Sequence, residues 1–137
     1  MAVYQLPEEI VFPKPELAEP DGLLAIGGDL SPLRLLTAYS VGIFPWYNPG
    51  DPILWWSLDP RLVLFPEEAI FSKSLLQRIK RCEFDIRVDS NCREVIRQCA
   101  LQKRKNQKGT WITDDMEKAY GRLHDLGFVH SFETYKD

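Results

Sequence analysis

Residues 42–56, GIFPWYNPGDPILWW, set three of the chain's four tryptophans among three prolines and two glycines. Pro45, Pro49 and Pro52 each fix φ and remove a backbone donor, which enforces irregular backbone between Gly42 and Pro52. The stretch therefore reads as a turn-rich corner followed by a short strand over residues 53–56. Side chains alternate sides along a strand, so Trp55 and Trp56 point opposite ways and at least one is expected in the core. Trp46 stands apart from them. Its ring belongs either to a rigid apolar corner or to the wall of a ligand site.

Upstream, Ser31-Pro32 predicts a helix start, with serine as cap and proline at the first helical position. Leu33, Leu36 and Tyr39 recur on one face of that helix, and Gly42 suits a left-handed cap at its end. Before it, Pro13, Pro15, Pro20 and the Asp21-Gly22 and Gly27-Gly28-Asp29 turns predict an extended, turn-rich lead over residues 1–30. A second short strand is expected at residues 62–65.

The character changes near Pro66, which divides the chain into a small domain over 1–66 and a second over 67–137. Ser72 can cap a helix carrying Leu75, Leu76 and Ile79. Residues 84–88, FDIRV, alternate as a half-buried strand does. Asn91 with Glu94 resembles a capping box for the next helix, and Asp114 with Glu117 another. The latter helix carries Met116, Tyr120 and Leu123 and stops at Gly127, before a strand over 128–135. The fold class is α+β. That final strand has no successor to pair with, so the sequence reads as part of a longer protein.

With 137 residues, 45% of them hydrophobic, the chain can build a real core. It has no 18-residue apolar run and no basic N-terminus followed by an apolar segment, so neither a membrane span nor a signal peptide is expected. Cys82, Cys92 and Cys99 are odd in number and form no CxxC pair, which fits reduced thiols in the cytoplasm. The net charge of −3 is unevenly spread. Residues 1–68 hold ten acids and three basic residues, whereas residues 69–111 hold eleven basic residues and four acids. One face of an acidic protein can thus meet nucleic acid.

No conventional catalytic or metal-binding set emerges. His124 and His130 are isolated from cysteines at ligand spacing, so no metal is expected. Gly27-Gly28-Asp29 lacks the lysine of a phosphate-binding loop. Asp114 and Asp115 open a helix, where acids already meet its positive end. Glu133 reads as structural or solvated, and no residue is assigned as a general base. The aromatic and basic groups offer more: Trp46 and Trp111 can stack on bases, Tyr39 and Tyr120 can add hydroxyls, and Lys73, Lys80 and Arg81 can neutralise phosphate. The competing reading makes the rings core and the cations ordinary surface.

Residues 21–61, DGLLAIGGDLSPLRLLTAYSVGIFPWYNPGDPILWWSLDPR, resemble the N-terminal region of the bacterial leucyl/phenylalanyl-tRNA–protein transferases. GTWIT at 109–113, AYGRLHDLG at 119–127 and HSFETY at 130–135 follow in the expected order. The resemblance implies a small N-terminal domain followed by an incomplete acetyltransferase-like (GNAT-like) α/β domain. It implies transfer of leucine or phenylalanine, and methionine less readily, from aminoacyl-tRNA to an N-terminal arginine or lysine, marking the recipient for proteolysis. Leu-tRNA, Phe-tRNA and such recipient proteins would be the partners. No cofactor is implied, because the activated ester on tRNA supplies the reacting group.

By the same resemblance, Trp46 and Trp111 belong near the terminal adenosine, with Tyr39 and Tyr120 as polar support. Lys73, Lys80 and Arg81 match a tRNA-contacting surface, although Gln77 interrupts that basic stripe, and Arg104, Lys105 and Lys108 would extend it. The 137 residues would themselves be inactive, the rest of the amino-acid pocket lying in a missing portion. The alternatives are a tRNA-binding module without catalysis, or a purely structural piece.

Overall fold

The computed structural model describes residues 3–102 and 110–136. Strands β1 (Tyr4–Leu6), β2 (Leu23–Gly27), β3 (Phe44–Pro45) and β4 (Leu54–Trp56) form one sheet in the order β1-β2-β4-β3. β1 runs parallel to β2, and the other pairings are antiparallel. The expected turn-rich lead thus contributes two strands: Pro13, Pro15 and Pro20 fall in the connection between them rather than in either strand. Helix α1 (Pro32–Ser40) crosses between β2 and β3.

Trp55 is fully buried in a core with Leu24, Leu35, Ile43 and Leu123. Its indole N–H donates to the carbonyl of Gly27 at 2.8 Å, so the largest core side chain leaves no buried polar atom unmet. Phe12 packs edge-on against it, with centroids 4.9 Å apart.

Ser31 caps α1 by accepting from the Arg34 amide, and the helix ends in a paired turn. Gly42 N–H bonds the Tyr39 carbonyl and Ile43 N–H the Ala38 carbonyl, with Gly42 at φ +78° as this geometry requires. The buried face of α1 is Arg34, Leu35 and Ala38, not the expected Leu33 and Tyr39. The helix packs against both β3 and a later helix, which turns its inward face by one to two residues and leaves Leu33 exposed.

The second half contains α2 (Lys73–Lys80), β5 (Asp85–Val88), α3 (Cys92–Leu101), α4 (Asp114–Asp125) and β6 (Phe132–Tyr135). This is the expected helix–strand–helix–helix–strand order. β5 and β6 pair antiparallel in a second sheet. Residues 62–65 do not form the expected strand: all four side chains are exposed and they join neither sheet. β5 alternates as predicted, yet none of its residues is buried.

Neither expected capping box forms. α4 starts one residue earlier than its acids suggest, with Thr113 Oγ1 accepting from the Met116 amide at 3.2 Å. Asn91 makes no side-chain cap for α3. Instead the Glu133 carboxylate, on β6, accepts from the amides of Ser90 and Asn91 at 3.2 and 3.1 Å. Hydrogen bonds from Ser131 and from these amides hold its pKa below the usual carboxylate value.

Thr113 Oγ1 also bonds the Tyr47 hydroxyl at 3.2 Å, tying α4 to the tryptophan-rich corner. Thr113→Ala should therefore destabilise the chain by about 1 kcal/mol, the typical cost of a lost cap. Thr113→Ser should retain most of that stability. Urea unfolding midpoints check both, and an unshifted midpoint for the alanine variant would remove the cap from this account.

Candidate functional site

The backbone of Trp46 is pinned from two directions. Its amide donates to the Leu54 carbonyl at 2.9 Å, and its carbonyl accepts from the Trp56 indole N–H at 2.7 Å. Strand alternation gives the two neighbouring tryptophans separate tasks: Trp55 fills the core, while Trp56 holds the main chain of Trp46. The Trp46 ring itself remains 48% exposed.

Trp111 arrives from the other half of the chain. The Thr113 amide donates to the Trp111 carbonyl at 3.1 Å, a tight turn leading into α4. Because Thr113 also bonds Tyr47, the residue after Trp46 is linked to the residue two beyond Trp111. The two indole centroids lie 6.4 Å apart with planes inclined at 48°. They border a cavity of about 400 Å³ whose walls also include Tyr39, Phe44, Leu58 and Arg61. A second cavity of about 290 Å³ shares Phe44, Trp46 and Leu58 with the first and extends to Trp56. Apolar walls with few polar groups suit a small planar ligand.

Beside this cavity, Tyr39 of α1 and Tyr120 of α4 hydrogen-bond through their hydroxyls, with ring planes nearly perpendicular. Loss of solvent pushes both phenol pKa values up, and Tyr120 is raised furthest because the Tyr39 and Tyr47 phenols lie close to it. Both hydroxyls therefore stay protonated at neutral pH. One O–H is spent within the pair, and the other remains able to donate.

All of α2 is solvent-accessible. Lys73, Gln77 and Lys80 follow one helical stripe, as their spacing of four and three dictates. Arg81 caps the helix and lies 3.7 Å from Glu83, which also meets Arg78 at 3.5 Å. Glu83 thus offsets part of the basic charge at that end. Arg104, Lys105 and Lys108 lie outside the described residues.

The histidines are engaged in structure. His130 Nδ1 bonds the Asp89 carboxylate at 2.7 Å, and His124 Nδ1 lies 2.8 Å from the Val129 carbonyl. Sequence reasoning missed Arg34, whose fully buried side chain bonds Asp29 and the carbonyls of Pro7 and Glu8. Its signal was an aspartate five residues upstream. It also missed Arg61, which no local pattern distinguishes from an ordinary surface arginine.

The sequence profile described as "Leucyl/phenylalanyl-tRNA protein transferase" matches residues 63–137, more than half of the chain, and the profile of that family's N-terminal domain matches residues 28–59. The chain belongs to the leucyl/phenylalanyl-tRNA–protein transferase family. A relative bearing that name from Anaeromyxobacter sp. (strain Fw109-5) is 58% identical over 99% of this chain and 58% of its own length. Those from Syntrophus aciditrophicus (strain SB) and Desulfatibacillum aliphaticivorans are 53% and 52% identical over all of this chain, covering 57% and 59% of theirs. The chain thus spans somewhat over half the length of these transferases. No helix among its described residues is long and apolar enough to cross a membrane.

The tyrosine pair gives a spectroscopic test. In an ultraviolet titration of the five tyrosines, two should ionise later than the rest. Tyr39→Phe should remove one of these late groups and bring the other, Tyr120, to a lower pH. Uniform ionisation near the ordinary phenol value would contradict the hydrogen-bonded pair.

Proposed function

We propose that the whole protein transfers leucine or phenylalanine from aminoacyl-tRNA to an N-terminal arginine or lysine of a protein, and that residues 1–137 hold the tRNA-end part of the site. The observation that carries this reading is the meeting of Trp46 and Trp111, 65 positions apart in sequence, over one apolar cavity. Two indole faces at such a separation can position the terminal adenosine by stacking. The family name supports an aminoacyl transfer. The preference for particular recipients and the marking of products for degradation belong to the proposal.

In this reaction the uncharged recipient amine attacks the ester carbonyl, forming the new C–N bond. The C–O bond to ribose breaks, and the proton lost from nitrogen ends on the departing ribose hydroxyl. No side chain of this chain is assigned as a base. Its contribution is positioning: holding the ester against the amine supplies a large part of the acceleration. The protonated Tyr39–Tyr120 pair can donate a hydrogen bond to the adenosine end but cannot act as a phenolate.

Chemistry should depend on the additional length that the relatives carry. Supplied with Phe-tRNA and a peptide beginning with arginine, the 137-residue chain should give little product by mass measurement. A version extended to the relatives' length should add one residue per peptide. Within that version Trp46→Ala and Trp111→Ala should each slow transfer by about fivefold to about 160-fold, given roughly 1–3 kcal/mol per stacked base. Unimpaired kinetics in both variants would overturn the stacking role.

For the α2 surface, the expected role is sequence-independent attraction to tRNA phosphates. Replacing Lys73, Lys80 and Arg81 together by alanine should weaken tRNA binding and flatten its salt dependence, leaving circular dichroism unchanged. A folded triple variant with the original affinity and salt slope would return those residues to ordinary surface.

A further inference from the structure

Among the described residues, Arg61 is the only formally charged side chain lining the larger aromatic cavity. Arg34, Arg78, Arg81, Arg87 and Arg93 each pair with a carboxylate. Among the described residues Arg61 has no such partner. Its position is nevertheless fixed. Nη2 donates to the Gly42 carbonyl at 2.6 Å, and the guanidinium carbon lies 5.5 Å from the centroid of the Phe44 ring.

Both anchors belong to the framework that holds Trp46. Gly42 closes the C-terminal turn of α1, and Phe44 opens β3 opposite Trp56. A guanidinium carries five N–H donors in a rigid plane. Only one hydrogen bond is made to the described residues, so an edge of the plane remains available beside the cavity. Among the described residues, no carboxylate pairs with it and no acid stands on the cavity wall. Planar, oriented and uncompensated, it matches the bidentate geometry of phosphate recognition. The side chain is solvent-exposed, so such a contact is screened by salt and its value lies mainly in orientation.

We infer that Arg61 forms a phosphate subsite continuous with the Trp46–Trp111 cavity, receiving the 5′-phosphate of the nucleoside stacked there. The inference rests on the proposed adenosine role of the cavity and adds a positioning function to it. Stacking restrains a base perpendicular to its plane but leaves sliding and rotation within the plane comparatively free. A charge anchor at the phosphate removes that freedom, and with it the uncertainty in where the 3′ ester comes to rest.

The test uses two stable probes and the 137-residue chain, followed by tryptophan fluorescence. Both probes are phenylalanyl adenosines joined through a 3′-amide, and one carries a 5′-phosphate. The phosphorylated probe should bind about tenfold more tightly, as expected for hydrogen bonds to a charged group, and inorganic phosphate should reduce that advantage. In Arg61→Gln the advantage should vanish while the phosphate-free probe keeps its affinity. Arg61→Lys should restore part of it.

Equal affinity of the two probes for the unsubstituted chain would overturn the subsite. So would an Arg61→Gln variant that weakens both probes equally, because Arg61 would then only brace the cavity. Failure of the phosphate-free probe to bind, or binding indifferent to Trp46→Ala, would instead defeat the adenosine reading on which the subsite rests.

Discussion

Leu123 reaches from α4 into the core built on the four-stranded sheet, and the rest of the site depends on that one insertion. The side chain is 1% exposed and packs with residues contributed by β1, β2, α1 and β4. Ala119 and Val129 close against the same cluster, and Met116 is fully buried on the same helix. With this face committed inward, the start of α4 has one place to lie. Thr113 then meets Tyr47, Trp111 meets Trp46, and Tyr120 meets Tyr39. Removing about as much apolar surface as one leucine side chain presents contributes roughly 1.5–3 kcal/mol. That is enough to orient a helix, and the polar contacts refine its position.

Much of this architecture was legible in the sequence because its causes are local. Ser31-Pro32, Ser72 and Gly42 mark helix ends through backbone rules that act over a few residues. The face bearing Met116 and Leu123 follows from helical periodicity. What escaped reading depends on partners far away in sequence. Glu133 serves the entry to α3 across more than forty positions, so a nearby asparagine and glutamate suggested a box that does not form. The strand assigned to residues 62–65 had suitable composition, but those residues lie exposed and join neither sheet.

The site was legible to a different degree. Composition and aromatic type nominated Trp46 and Trp111, and the resemblance selected them from other rings, but only packing brings them within 6.4 Å. Trp56 illustrates the limit. Alternation predicts that it points away from Trp55, yet nothing in the sequence says that its N–H will secure the Trp46 carbonyl. Arg61 is a similar case, since an uncompensated cation is defined by groups that are absent from around it. The α2 stripe, in contrast, is fully readable: its apolar and basic positions separate by helical spacing, although none of its residues is buried among the described ones.

The cavity wall is divided between two lengths of chain, joined through Thr113–Tyr47, Tyr39–Tyr120 and the Leu123 insertion. Such a division makes occupancy and docking parts of one thermodynamic cycle. A ligand touching both tryptophans binds the docked arrangement and has only half a wall to bind when α4 swings away. It therefore stabilises docking by RT ln(1 + [L]/Kd), about 2.7 kcal/mol when its concentration is a hundred times Kd. A substitution that loosens α4 weakens the ligand in proportion to the docked fraction it removes, however far from the cavity it lies. The seam between the halves is in that sense a spring, and any ligand spanning both indoles is the weight that keeps it closed.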